Sequence, residues 1–231
     1  MRFPTLTLIC LLAFSFTNLS AQTKVGLRVL AGKSSLTSPI DALPPDIGRH
    51  DNINSTTFGL VVETKLSNTL SIRSGLQQSQ RGTTLRHGTV NELLGALVPL
   101  DYEAQVRMNY LEVPLALKLE FPLANDQLAV YGWGGVSAGY ALTGSVRGKS
   151  ASDPVQPMST SKIAMDNYLF SRYHLGFTGG LGLGLNMGSI VQFRLEAAYD
   201  RSAQERNMLS AESGKHGYQL LQFGAGMVFR L

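Results

Sequence analysis

The sequence predicts an all-β chain closing as an eight-stranded antiparallel up-and-down transmembrane β-barrel. Strand six carries the clearest sign: Tyr173, Leu175, Phe177, Gly179, Leu181, Leu183 and Leu185 alternate with Arg172, His174, Gly176, Thr178, Gly180, Gly182 and Gly184. One face is bulky and apolar and the other small or polar, with the period of two that an extended strand imposes. The run is longer than a typical soluble strand and suits the roughly 9 to 11 residues that a tilted strand needs to cross a bilayer. Two further observations agree with it: the alternation recurs in eight stretches, and the connections between them alternate long and short.

Ahead of the strands, residues 1–21 read as an export signal. Arg2 supplies the positive start, residues 6–16 are mostly apolar, and Ser20 and Ala21 are small residues before Gln22. Pro4 and the Thr17-Asn18 pair keep the apolar run short of the roughly 20 residues of a spanning helix. Cleavage after Ala21 leaves one barrel domain over residues 22–231. Cys10, the single cysteine, lies in the removed segment without a lipoprotein cleavage context. The mature chain is therefore expected to carry no thiol, lipid anchor, disulfide or cysteine metal site.

The strands follow in order. Residues 24–32 place Val25, Leu27, Val29 and Ala31 opposite Lys24, Gly26 and Arg28; residues 57–65 place Phe58, Leu60 and Val62 opposite Gly59, Val61 and Glu63. Residues 69–81 set Leu70, Ile72 and Leu76 against Ser71, Arg73, Gly75 and Gln77. Residues 105–121 are the clearest after strand six, with Leu111, Val113, Leu115, Leu117, Leu119 and Phe121 against Tyr110, Glu112, Pro114, Ala116, Lys118 and Glu120. In residues 127–141, Gly132, Gly134 and Gly135 leave open which face is which. Strand six spans 168–185, strand seven 189–199 and strand eight 218–231, the last two placing Arg194, Glu196 and Arg230 on the inner face. Pro114 predicts a bulge beside it, because proline donates no ladder hydrogen bond.

Connections 32–56, 82–104, 142–167 and 200–217 are long and polar, whereas 66–68, 122–126 and 186–188 are short. Four long loops, three short turns and both termini on the short-turn side match the asymmetry of outer-membrane barrels, whose long loops are extracellular. Without Arg2 the chain carries 19 basic and 16 acidic residues, a net charge near +3. No basic cluster interleaved with aromatics appears, so nucleic acid is excluded as a partner.

Nine charged residues are expected inside: Arg28, Glu63, Arg73, Glu112, Lys118, Glu120, Arg194, Glu196 and Arg230. Eight strands leave an interior only wide enough for side chains, so these groups read as a salt-bridge network that plugs the lumen rather than as an ion path. Glycines 176, 180, 182, 184, 224 and 226 are expected to make room for the long arginines. The run 179–184 lacks the Gly-x-Gly-x-x-Gly spacing and the strand-to-helix setting of a phosphate loop, so no cofactor is implied. The histidines at 50, 87, 174 and 216 show no metal-binding spacing. His174, with Ser171, Asp166, Asp200 and Glu205 near the outer rim, supplies the residue types of a lipid-acting enzyme, yet rim polar residues without chemistry are commoner, and the chain is read as no enzyme. Tyr110, Tyr140, Tyr173, Tyr199 and Tyr218 are expected to form an aromatic girdle.

The segment Asn109-Tyr110-Leu111-Glu112-Val113-Pro114-Leu115-Ala116-Leu117-Lys118, preceded by Gly75-Leu76-Gln77 and Gln80-Arg81-Gly82, resembles the porin-family outer-membrane β-barrels of Bacteroidetes, often labelled PorT-like. The resemblance implies location and fold; it assigns no transport and no functional residue. The expected function is thus a structural or surface-binding role. Its partners are outer-membrane lipid, the barrel-insertion machinery and an extracellular ligand at the long loops, and the barrel is a monomer. The alternatives are a secreted lipocalin-like ligand-binding barrel, with apolar residues inside, and an outer-membrane lipid-modifying enzyme.

Overall fold

Every one of the eight alternations folds as a strand, because a two-residue period gives each strand one apolar and one polar face. A computed structural model describes residues 23–37, 50–86, 102–123, 127–150, 159–162, 172–203, 206–207 and 215–231. The expected export signal and Cys10 lie outside the described residues. The strands are β1 (Thr23–Leu36), β2 (Ile53–Lys65), β3 (Leu70–Arg86), β4 (Tyr102–Leu123), β5 (Leu128–Ser150), β6 (Tyr173–Met187), β7 (Val191–Ser202) and β8 (Tyr218–Arg230). Each pairs antiparallel with the next. β1 closes the barrel on β8, from Lys24 opposite Arg230 to Leu36 opposite Tyr218, so no barrel strand is left as an open edge.

The bulky face points outward. Leu181 is 69% exposed and Phe177 62%, whereas Thr178 between them is 7% exposed. A lipocalin-type barrel would hold those large side chains inside. Lipid, which welcomes apolar surface, accounts for their direction.

At the long-connection end the strands outrun the expected boundaries: residues 82–86, 102–104 and 142–150, expected in loops, continue β3, β4 and β5. β4 shows why. From Leu111 to Phe121 its odd-numbered apolar residues face outward, but further up Ala104, Val106 and Met108 are buried inside, while Glu103, Gln105, Arg107 and Asn109 take the outer face. The backbone alternation is unbroken; the surroundings change from lipid to water, so apolar residues move to the inner face as in a soluble barrel. Above this level Ser159–Lys162 pairs with Ser145 to Gly148 of β5, and His50–Asp51 pairs with Leu85 and Thr84 of β3.

The short connections begin and end within two residues of where the pattern puts them. Leu66 and Ser67 amides donate to the Leu70 carbonyl at 2.8 and 3.0 Å. Asn186 and Met187 remain in β6, and Gly188 takes φ +76° in the following turn, a left-handed conformation that glycine adopts without a Cβ clash. Strand six begins at Tyr173, the region before Arg172 lying outside the described residues.

Pro114 is accommodated without the expected bulge. The β3–β4 ladder pairs Ser74 with Leu115 and Gln77 with Glu112 in one register, leaving out the two pairs between. The Ser74 hydroxyl donates to the Pro114 carbonyl at 2.9 Å. The bulge lies further up, where Asn109 pairs with Thr143 but Tyr110 with Ala141, so that Leu142 is the extra residue. The aromatic girdle also needs correction. Tyr140, Tyr173 and Tyr199 face outward, whereas Tyr110 and Tyr218 are buried inside, as their even positions on β4 and β8 require.

Candidate functional site: the filled lumen

The inward residues stack in tiers. Nearest the short turns, Arg194 grips Glu63 with both prongs of its guanidinium, Nη1 to Oε1 at 2.6 Å and Nη2 to Oε2 at 2.7 Å, the bidentate geometry that carboxylates favour. Lys118 Nζ donates to Glu63 at 3.0 Å and also to Glu120. Lys24 reaches Glu120 at 3.2 Å, and the Gln192 amide oxygen accepts from Arg194 Nε at 2.9 Å.

In the middle tier Glu196 is the hub. It accepts from Arg73 at 2.7 and 2.9 Å, from the Tyr131 hydroxyl at 2.8 Å and from Arg28 at 3.4 Å. Arg73 lies 4.7 Å from the centre of the Trp133 ring and Arg28 5.5 Å, while Lys118 Nζ and Arg194 approach the Tyr131 ring at 4.2 and 5.2 Å. Rings that face cations gain from their quadrupole when desolvated. This answers the open face of β5: Ala129, Tyr131, Trp133 and Ser137 are buried inside, and Val130, Val136 and Tyr140 are outside.

The inner glycines serve these aromatics more than the arginines. A Cβ on Gly182 would stand 2.3 Å from Tyr131 Cζ, and one on Gly180 would stand 2.9 Å from Trp133 Nε1. At 184 it would meet the Gln192 amide, at 176 the His174 ring and at 224 the Val29 carbonyl. At 226 the Leu27 carbonyl lies at 2.8 Å and Arg28 Cβ at 3.3 Å.

In the third tier Glu112 accepts from Ser79 Oγ at 2.6 Å, Arg81 Nε at 2.9 Å and Gln77 Nε2 at 2.9 Å. Arg81 also donates to Asp200 at 2.7 Å, and Ser137 donates to the same carboxylate at 3.1 Å. Leu36, Ile53, Val106, Met108, Tyr218 and Leu220 form an apolar cap above. There Ser34 Oγ donates to the Gly82 carbonyl and accepts from the Gly82 amide, both at 3.0 Å.

Eight of the nine predicted lumen charges therefore enter these tiers. Arg230 is the exception: it is exposed and lines an open vestibule of about 520 Å³ at the short-turn mouth with Lys24, Lys65 and Glu120, because β8 ends there. Lys24, Arg81 and Asp200 belong to the network but were missing from the prediction. Their parity was readable: Lys24 shares the even face of Arg28, Arg81 the odd face of Arg73, and Asp200 the even face of Glu196. Tyr131 and Trp133 were hidden by the glycines that surround them.

His174 has chemically suggestive neighbours: Nε2 is 3.6 Å from Asp200, and Nδ1 is 3.4 Å from Ser202 Oγ. All three residues are buried, and Ser202 Oγ already accepts the Tyr218 amide at 3.1 Å. That arrangement fastens β6, β7 and β8 together. Ser171, Asp166 and Glu205 lie outside the described residues. Among the described residues no group of three or more His, Cys, Asp or Glu is placed to hold a metal.

A family model for the outer membrane protein beta-barrel domain matches residues 47–202, about two thirds of the sequence. The chain belongs to this family. Among solved structures, this outer-membrane β-barrel is similar to OprG from Pseudomonas aeruginosa, at 10% identity and TM-score 0.53, covering 91% of this chain and 96% of that one. It is also similar to Neisserial surface protein A, at 10% identity and TM-score 0.50, with 90% and 97% covered. At such identity the likeness concerns the barrel fold alone. No curated protein matches the chain.

Proposed function

We propose that this outer-membrane β-barrel is a non-conducting scaffold that presents its long connections at the cell surface in a structural or binding role. The observation that carries the reading is the filled cross-section. Six buried cations (Lys24, Arg28, Arg73, Arg81, Lys118 and Arg194) interlock with five carboxylates (Glu63, Glu112, Glu120, Glu196 and Asp200). The void beside Arg28, Gln77 and Asp200 measures about 10 Å³, at the lower limit for one water. An ion crossing this lattice would have to displace charge pairs whose separated members are costly to leave buried. Planar-bilayer recording tests the reading: the purified barrel is expected to give no sustained conductance, and reproducible porin-sized open steps would overturn it.

The remaining features of the reading are export through a cleaved signal ending at Ala21, insertion by the barrel-insertion machinery and a monomeric barrel bathed in outer-membrane lipid. The long connections face outward and take an extracellular ligand. The Asn109-to-Lys118 segment supports a narrower PorT-like, Bacteroidetes assignment within the family. Intact-mass measurement of the membrane-extracted protein checks the cleavage, a mass that retains residues 1–21 rejecting it.

A further inference from the structure

Just above the apolar band, three cations gather on the outer face of the sheet. Arg107 of β4 and Lys162 of the short Ser159–Lys162 strand are the Cα partners of Ser145 on its two sides. Residues paired across a sheet project to the same face, with neighbouring strands about 4.8 Å apart. Arg147 stands two residues further along β5 on that face, opposite Gln105, and Arg107 Nε donates to the Gln105 side chain at 3.0 Å. Arg147 and Lys162 are exposed and Arg107 is half-buried. None of the three has a carboxylate partner among the described residues. Among the described residues, the acid on this face is Glu103, which lies beyond Gln105 with Arg86 and Lys149 as its Cα partners.

The level of the cluster matters as much as its charge. One step toward the membrane, Asn109 Nδ2 donates to Thr143 Oγ1 at 2.9 Å. Below that pair the outward residues become Leu111, Val113, Leu142 and Tyr140, all exposed. The three cations therefore stand where lipid headgroups meet the acyl region. At the opposite rim the outward residues Phe121, Leu123, Met187, Ile190 and Phe229 are apolar, so the feature belongs to one rim.

We propose that Arg107, Arg147 and Lys162, around the Ser145 hydroxyl, form a binding site for the phosphate of an anionic lipid headgroup. Two guanidiniums match phosphate with forked, charge-assisted hydrogen bonds, and the ammonium adds a point charge. The adjoining Leu142 and Leu111 surface seats the acyl chains, which a free anion lacks. Placing this lipid in the outer leaflet rests on the orientation proposed above.

The test uses the full mature barrel in neutral detergent and reads retention of fluorescent lipid A against its dephosphorylated analogue. The unmodified protein is expected to retain the phosphorylated lipid selectively. The triple variant Arg107→Gln, Arg147→Gln, Lys162→Gln should weaken retention roughly a hundredfold, from about fivefold per removed cation, while Lys33→Gln, on exposed β1, leaves it unchanged. Ser145→Glu, which keeps all three cations and adds a carboxylate between them, should also abolish selectivity. Heat-modifiable gel migration establishes that each variant is folded. Equal retention by the triple variant, or equal binding of the dephosphorylated lipid, would overturn the site. Complete competition by equimolar inorganic phosphate would assign it to a free anion and overturn the lipid. None of these readouts depends on orientation or conductance, so the scaffold reading stands or fails separately.

Discussion

Arg194 and Glu63, 131 residues apart, meet inside the barrel as a two-pronged ion pair that ties β7 to β2. Their side chains are 1% and 3% exposed, and Glu63 also accepts from Lys118 and lies 3.9 Å from Arg73 Nε. Glu63→Ala would strand Arg194 in the lumen and strip Lys118 of one of its two carboxylates. Denaturant titration in lipid vesicles is expected to show a loss of about 3–5 kcal/mol. Replacing both partners, Glu63→Leu with Arg194→Met, should cost less than Glu63→Ala alone, since no guanidinium is then left unpaired. An unchanged Glu63→Ala midpoint would mean that the pair is immaterial to stability.

Close packing of Tyr131 against Gly182 gives a sharper steric test. A methyl at 182 would overlap the phenol, whereas a methyl at Gly134, on the outer face, would find nothing within 4 Å. Gly182→Ala should therefore destabilise by about 1–3 kcal/mol, and Gly134→Ala should be close to neutral. Adding Tyr131→Leu to Gly182→Ala should return part of the loss. Equal costs at 182 and 134 would contradict the role of the inner glycines as space for the ring.

How much of this was legible follows from where the alternation is clean. Leu111 to Phe121 and Tyr173 to Leu185 showed their faces because every second residue is bulky, and eight of the nine charges opposite such residues are in the lumen. Lys24, Arg81 and Asp200 escaped although their parity matched the network. The upper halves of β4 and β5 escaped for a different reason: Met108 and Val106 are apolar on the face that is polar below, since water replaces lipid outside. Tyr131 and Trp133 needed tertiary knowledge. A small residue on a strand does not reveal which ring fills the space it leaves, and here that space is filled from β5 across to β6.

Orientation is checked by protease added to intact cells. Residues 82–86, 102–104, 142–150 and 159–162 are paired in the sheet and thereby protected, so cleavage on the outward side is expected elsewhere within the long connections 82–104 and 142–167. Cuts confined to the Leu66 and Gly188 turns would reverse the barrel in the membrane. Peptide mapping by mass spectrometry distinguishes the two patterns.

Assignment of inside and outside is tested most directly by charge. Leu183 on β6 and Leu117 on β4 are both half exposed, at 48% and 55%, and both face outward amid other apolar residues. Arginine at either site should lose about 2–4 kcal/mol if the position lies near the bilayer midplane. Arg107→Leu, on the same outer face of β4 but above the inversion at Tyr110, should cost little, because its surroundings are headgroup and water. Thr178→Ser, inside β6, should be mild, since a small hydroxyl remains in the lumen. Refolding into vesicles followed by denaturant titration ranks the four. Leu183→Arg and Leu117→Arg folding at unchanged stability while Thr178→Ser collapses the barrel would exchange the two faces. A penalty for Arg107→Leu as large as that for Leu117→Arg would place the lipid boundary elsewhere on β4.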